Sequence, residues 1–259
     1  MKLQLVPART GFVWVRLGIR TFLRQPLALT GLFFMFMAGM TLISQLPLLG
    51  VPLAMVLLPG TTLGLMAATR EAAAGKFPMP RMILTGFRGG PKALRGMLLL
   101  GALYTLGFLL AMGVSWLVDG GGFSRVYLGG ASPSAQAMLE PGFQAAMWTF
   151  IAIHLPVSLL FWHAPALVYW HGLAPMKSVF FSLVACLRNL RALVVFGLSW
   201  MLLLIFLLLA VTLMASAIDL GDNLGALMFP LMLLVAAMFF CSLFFTYRDT
   251  FEATEVLLA

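Results

Sequence analysis

The fold is decided by residues 27–69, which read LALTGLFFMFMAGMTLISQL, then a proline, then LLGVPLAMVLLPGTTLGLMAAT. A helix that crosses a bilayer needs roughly 20 mainly apolar residues, and each half of this stretch has that length. One helix over the whole stretch would be about 60 Å long, twice the thickness of the hydrocarbon core. Gln45, Pro47, Gly50 and Pro52 therefore predict a turn between two spanning helices.

Further apolar stretches raise the predicted number of spanning helices to six. The chain is 62% hydrophobic and 9% charged, with a mean hydropathy of +1.05. Soluble domains carry about a quarter charged residues, so this composition is typical of a membrane protein. The sequence predicts an all-α polytopic protein with one integral membrane domain over residues 1–259. The predicted spans are 27–46, 48–69, 96–118, 145–170, 192–218 and 224–247.

The basic residues are distributed unevenly between the two sides of the predicted bundle. Of the 16 lysines and arginines, all but Arg125 fall in the first, third, fifth and last polar segments. The alternate segments also carry Asp119, Glu140, Asp219 and Asp222. Because basic residues near helix ends stay in the cytoplasm, both termini are predicted to be cytoplasmic, in a bacterial inner membrane. This bias accounts for the net charge of +8, and no nucleic-acid binding is expected.

Residues 8–25 precede the first span and are predicted to form an amphipathic helix at the membrane interface, with its apolar side in the acyl boundary of the bilayer. Its arginines fall within an arc of about 80° on a helical wheel, and the apolar side chains lie on the neighbouring face. Two interpretations stay open: binding to anionic headgroups of the inner leaflet, or a plain juxtamembrane anchor. The arginines are Arg9, Arg16, Arg20 and Arg24; the apolar residues are Phe12, Val15, Ile19, Phe22 and Leu23.

Similar short motifs precede the first, third and fifth spans. They read FLRQP at 22–26, FRGGP at 87–91 and CLRNL at 186–190. PMPR at 78–81 and APMK at 174–177 lie at similar distances upstream of the second and third motifs. The chain is thus interpreted as three units, each an amphipathic segment, a basic turn and a helical hairpin. All three enter the membrane in one orientation, unlike the inverted repeats of many transporters. Chance similarity at membrane borders is the competing explanation.

The fourth predicted span holds the main candidates for a polar site inside the membrane. His154 and His163 are nine residues apart, so they point to opposite faces of one helix and do not share a metal ion. One interpretation is that both form hydrogen bonds within the bundle. The other is that His154, Pro156, His163 and Pro165 line a cavity, since each proline frees a backbone carbonyl. No catalytic, cofactor-binding or metal site is predicted.

Gly60, Gly64 and Ala68 recur at every fourth residue of the second span. Such a ridge of small residues permits close approach by another helix, in the same chain or in another. The two cysteines, Cys186 and Cys241, form no ligand pattern with the histidines and are interpreted as small core residues.

A family resemblance rests on Arg24–Pro26 with its basic amphipathic lead, on the six spans, and on the HGLAPM turn at 171–176. In these features the chain resembles a family of six-span proteobacterial inner-membrane proteins. It is also distantly similar to YciC-type proteins and to the membrane domain fused to some glycerophosphodiester phosphodiesterases. The chain lacks the catalytic barrel of those phosphodiesterases, so the resemblance implies location and architecture and no enzymatic activity.

The sequence therefore favours a non-enzymatic role: organising the membrane or assisting another complex, through lipids, a membrane-protein partner or a homo-oligomer. The central parts of the predicted spans contain no Asp, Glu, Lys or Arg, which argues against an ion-coupled carrier. A transporter or channel for a neutral or amphiphilic solute is the alternative. An intramembrane enzyme has the least support, because no catalytic constellation is present.

Overall fold

The structure is a computed structural model that describes residues 2–128, 134–217 and 224–251. These residues form helices and connecting turns without any β-strand, and six helical stretches are long and apolar enough to cross a membrane. The predicted all-α, six-span fold is confirmed. The α-helices are α1 Thr10–Arg24, α2 Pro26–Ser44, α3 Gly50–Ala73, α4 Gly90–Asp119, α5 Gly122–Tyr127, α6 Ala135–Leu139, α7 Pro141–Phe161, α8 Ala164–His171, α9 Pro175–Arg188, α10 Leu190–Ala217 and α11 Leu224–Phe251; a 3-10 helix spans Pro80–Phe87.

Most helix ends lie close to the predicted bounds, and the differences have local causes. The third span begins at Gly90, because Gly90 takes a positive φ of 86° and Pro91 follows in the first turn. The last span runs on to Phe251, where its end packs against the chain's N-terminal segment: the Gln4 N–H donates to the Thr250 carbonyl at 2.9 Å. Position 218 and the predicted loop residues Asp219 and Asp222 lie outside the described residues.

The spans pair as three hairpins, α2 with α3, α4 with α7, and α10 with α11. An amphipathic segment precedes each hairpin: α1, the 3-10 helix and α9. Each segment packs mainly against a different hairpin from the one that it leads into. The 3-10 helix lies on α3, α9 lies on α7 and α8, and α1 lies on α10 and α11. The three units are therefore linked in a closed ring, in which the second helix of each hairpin (α3, α7–α8 and α11) contributes to the centre.

Helix α1 buries one face against protein, which corrects the prediction that its apolar side lies in the acyl boundary. Trp14 is fully buried, and its indole N–H donates to Asp249 Oδ2 at 2.9 Å. Gly11 lies directly on the Ala192 carbonyl and Gly18 on the backbone of Ser242. Glycine permits this approach because it has no Cβ, and a helical wheel shows an apolar face without showing its partner. The predicted face is divided: Val15 and Phe22 are buried, Ile19 is partly buried, and Phe12 and Leu23 are exposed.

The ridge of small residues on α3 is covered by the 3-10 helix of the same chain. Gly64 lies directly on the Ile83 carbonyl, and Gly60 packs against the Phe87 ring. Ala68, one turn further on, is fully buried in a cluster with side chains of α1, α2 and α11. The partner that sequence left open is thus an internal segment that is too short to span a membrane itself.

Candidate functional site

Arg9, which immediately precedes α1, and three arginines of α1 form a basic face opposite the buried face of this helix. Arg9, Arg16, Arg20 and Arg24 are all exposed. Over the described residues the one ion pair joins Arg248 to Asp249, so none of the four arginines is neutralised by a carboxylate there. The Arg24 Nη1–H donates to the Ala73 carbonyl at 3.3 Å. A cationic surface without counter-charges attracts an anionic partner.

An apolar groove of about 450 Å³ runs between α1 and α10 beside this face. Arg16 lies at its edge, so that one charged group borders a channel of hydrocarbon side chains. The groove is lined by Phe12, Val15, Arg16 and Ile19 of α1 and by Ser199, Leu202, Leu203 and Phe206 of α10.

The fourth span is broken between Phe161 and Ala164, where the sequence predicted one continuous helix with proline kinks. In a continuous helix the His163 N–H would donate to the Leu159 carbonyl. Here the His163 N–H donates to Ser182 Oγ at 2.9 Å, and the Ser182 hydroxyl donates to the Leu159 carbonyl at 2.9 Å. A side chain of α9 is thus inserted into the hydrogen-bond ladder and satisfies both freed groups. Pro165 lies in the first turn of α8, where its missing N–H costs little.

The two histidines of this span occupy separate, largely aromatic surroundings. His163 is 2% exposed and packs against Tyr247 and Phe251. His154 is partly buried and stacks on Phe150, with ring centroids 5.0 Å apart. Among the described residues neither Nδ1 atom has a hydrogen-bond partner. Ring packing is what the structure shows for both histidines, and the predicted hydrogen bonding of their side chains within the bundle stays a prediction.

A small cavity of about 150 Å³ lies where α3, α4, α7, α8 and α11 meet. Of the four residues that sequence proposed for a cavity wall, Pro165 lines it. Pro156 is instead exposed on the outside of α7, and the two histidines lie in the aromatic surroundings described above. Sequence reasoning missed the hydroxyl-bearing wall, whose residues come from three helices. The polar groups of the wall are Thr62, Tyr104, Ser158 and Trp162; its apolar members include Leu58, Pro59, Phe161 and Leu243.

No group of three or more His, Cys, Asp or Glu side chains in the described ranges is arranged to hold a metal ion. Both cysteines are buried, and both are free thiols rather than members of a disulfide. Burial raises the pKa of the Cys186 thiol to about 12, against a smaller opposite effect of the Ser182 hydroxyl.

Cys186 is therefore expected to resist alkylation in the folded protein. Only the thiolate is nucleophilic, and relative to a free cysteine of pKa about 8.5 its population at pH 8 falls by about a thousandfold. With Cys241 replaced by alanine, iodoacetamide labelling at pH 8 should be negligible in mild detergent and complete after denaturation. Rapid labelling of the folded protein would contradict the burial of this thiol.

Comparison with known proteins places the chain in a family. A protein of Burkholderia thailandensis, described as a probable inner membrane protein, is 37% identical over 258 residues, which cover 98% of this chain and 96% of that protein. This chain belongs to the same inner-membrane protein family. No family model matches the chain, and no solved structure matches it.

The family membership confirms the predicted resemblance at its broader level, an inner-membrane protein family of proteobacterial type. It agrees with the six membrane-spanning helices of the structure. The more distant similarity to YciC-type proteins and to the membrane domain of phosphodiesterases stays a prediction, as does the cytoplasmic orientation of the termini.

Proposed function

We propose that this protein has a non-enzymatic role in the inner membrane, in which the basic face of α1 binds anionic inner-leaflet lipid and the bundle organises lipid or a membrane-protein partner. The main support for this proposal is that Arg9, Arg16, Arg20 and Arg24 are exposed without a carboxylate partner among the described residues. In this proposal both termini are cytoplasmic, as the distribution of basic residues predicts.

The rigid mounting of α1 supports this proposal over a plain anchor. A juxtamembrane anchor needs no specific tertiary contact, whereas α1 is fixed by Trp14, Gly11 and Gly18 against the last hairpin. Each basic residue near an anionic leaflet contributes about 1 kcal/mol, so four contribute about 4 kcal/mol. A fixed row of arginines therefore orders headgroups relative to the bundle, which a mobile tail would not do.

Helix α10 supports the assembly part of the proposal. Along the helix, large apolar side chains such as Leu202, Phe206 and Leu213 are more than half exposed. It is also the least buried of the six spans within the described residues. In the membrane this surface is available to lipid, to a partner protein or to a second copy of the chain.

The test uses tagged protein at native expression, extracted with its surrounding lipid in polymer discs. We expect anionic lipid to be enriched at least twofold over the bulk membrane, and Arg9→Gln/Arg20→Gln/Arg24→Gln to lower that enrichment clearly. The matched control, Arg→Lys at the same three positions, should retain it, since a headgroup surface responds to charge. Protein identification on the same discs would reveal a stoichiometric partner.

The alternative function, transport of a neutral or amphiphilic solute, is favoured by one observation, the central cavity with its Thr62, Tyr104 and Ser158 hydroxyls. The same purified variants placed in liposomes distinguish the two functions. Solute flux that survives the triple arginine substitution and is abolished by Thr62→Phe, which fills the cavity, would overturn the organising role in favour of transport.

A further inference from the structure

A second apolar groove resembles the one between α1 and α10. It has a volume of about 550 Å³ and lies between α2, α3 and the 3-10 helix. Arg81 of the 3-10 helix lies in its wall and is exposed, as Arg16 is in the first groove. The remaining wall is almost wholly apolar, with Met35, Gly39, Ile43, Leu57 and Leu84 among its members.

The internal repeat relates the two grooves at three lining positions of α1 and the 3-10 helix. The alignment that pairs Phe22 with Phe87 and Pro26 with Pro91 also pairs Arg16 with Arg81. It further pairs Val15 with Pro80 and Ile19 with Leu84. The arginines and these four residues line their respective grooves.

The facing walls are related in the same way. The alignment that pairs Phe22 with Cys186 pairs Met35 of α2 with Ser199 of α10, and Gly39 with Leu203. These four residues line the two grooves opposite the arginines. Several equivalent positions on two different pairs of elements thus line both grooves, whereas Leu202 and Phe206 of the first groove have no counterpart in the lining of the second.

We propose that each groove binds one acyl chain of an anionic phospholipid, with the Arg16 or Arg81 guanidinium on the headgroup phosphate. This inference rests on the proposed function and names its lipid sites. Both grooves have the volume of an ordinary ligand site, and their apolar walls match a hydrocarbon chain. Neither arginine has a carboxylate partner among the described residues, and a guanidinium binds phosphate through two parallel hydrogen bonds.

The third unit supplies a contrast within the chain. The repeat places Phe180 of α9 at the position of Arg16 and Arg81, and this side chain is exposed. An aromatic ring offers no charge to a phosphate, so the third unit is expected to lack an equivalent site. The expected number of groove-bound anionic lipids is two for each chain.

The experiment is native mass spectrometry of the full chain, released from nanodiscs of phosphatidylcholine that contain a minor fraction of phosphatidylglycerol. We expect two retained phosphatidylglycerol molecules in the wild type, one in Arg16→Gln, one in Arg81→Gln and none in the double variant. Arg188→Gln, which removes an equally exposed charge from the third unit, should retain two.

A variant that fills one groove tests whether lipid binding needs the apolar groove or only the charge of the arginine. A Cβ at Gly39 would meet no atom within 4 Å, so Gly39→Phe is expected to fold normally and to occupy the α2 groove. It should lose one lipid although Arg81 is intact, with an unchanged melting temperature as the check on folding.

The outcomes distinguish this inference from the proposed function. Retention of phosphatidylglycerol that is unaffected by Arg16, Arg81 and Gly39 but falls on loss of Arg9, Arg20 and Arg24 would overturn the groove sites and leave the lipid-binding face intact. Equal retention of both lipids by every variant would overturn both. A dimer or a bound protein that is lost in Gly39→Phe, without a change in lipid count, would replace the lipid as occupant.

Discussion

Leucine in place of Gly64 is expected to detach the 3-10 helix from α3 and to destabilise the protein strongly. A Cβ at this position would fall on the Ile83 main chain, 2.6 Å from its Cα atom, and a backbone segment does not move aside as a flexible side chain does. Overpacking of a core costs about 1–3 kcal/mol, and here two elements must separate, so we expect at least the upper figure. Thermal unfolding in mild detergent should show a fall of about 6–12 °C, at about 2–4 °C for each kcal/mol.

Gly31→Leu on α2 is the matched control. Nothing lies within 4 Å of a Cβ at Gly31, which is exposed on the outside of the bundle. Leucine also favours a helix by nearly 1 kcal/mol over glycine, so this variant should be as stable as the wild type or slightly more stable. Equal melting temperatures for the two leucine variants would contradict the close contact between α3 and the 3-10 helix.

The sequence identifies the spans well because the bilayer imposes a length on every apolar stretch. It identified Gly60 and Gly64 as a packing surface because their spacing follows the turn of a helix. It did not identify the partner, since a 3-10 segment such as Pro80–Phe87 shows neither the length of a span nor the period of an α-helix. A packing partner of this kind is identified only from the tertiary structure.

The break in the fourth span could not be predicted from the sequence. The prolines were visible, and Pro165 one residue after Ala164 is a recognised signal for a new helix start. The break itself, however, depends on Ser182, a residue of another helix that contacts His163 only in the tertiary structure. The cavity beside the break likewise takes its hydroxyls from Thr62 and Tyr104 on other helices, which no local pattern connects.

The amphipathic helix α1 shows an intermediate case. Its arginine arc was readable, and the arginines are exposed as that pattern implies. The buried face was also encoded, by Gly11 and Gly18 two turns apart with Trp14 between them, but those residues lie outside the predicted apolar arc. Small residues on a helix that borders a membrane thus predict protein contact where apolar residues alone suggest lipid.

Alanine in place of Ser182 is expected to destabilise the junction of α7 and α8 more than any other conservative change on α9. The substitution leaves the His163 N–H and the Leu159 carbonyl without their bridge, in a region where Ser182 is fully buried. A buried polar group that loses its partner costs about 1–3 kcal/mol, and the His163 N–H is such a group. The Leu159 carbonyl keeps a weak donor, the Cys186 thiol at 3.7 Å, so the unfolding free energy should fall by about 1–3 kcal/mol. The melting temperature in mild detergent measures the loss.

Ser178→Ala supplies the comparison that isolates the bridge. Ser178 is also a serine of α9, one turn earlier and equally buried, but its hydroxyl donates only to the Ala174 carbonyl of its own helix turn. Because that carbonyl also accepts the Ser178 N–H, removing the hydroxyl leaves no backbone group unpaired, and a change below about 1 kcal/mol is expected. If the two alanine variants have the same melting temperature, the Ser182 bridge does not hold the two halves of the fourth span. If Ser182→Ala alone loses stability, the fourth span of this protein is held in its broken form by a side chain from the third unit. Hydrogen bonds as well as packing then hold the ring of three units together at this point.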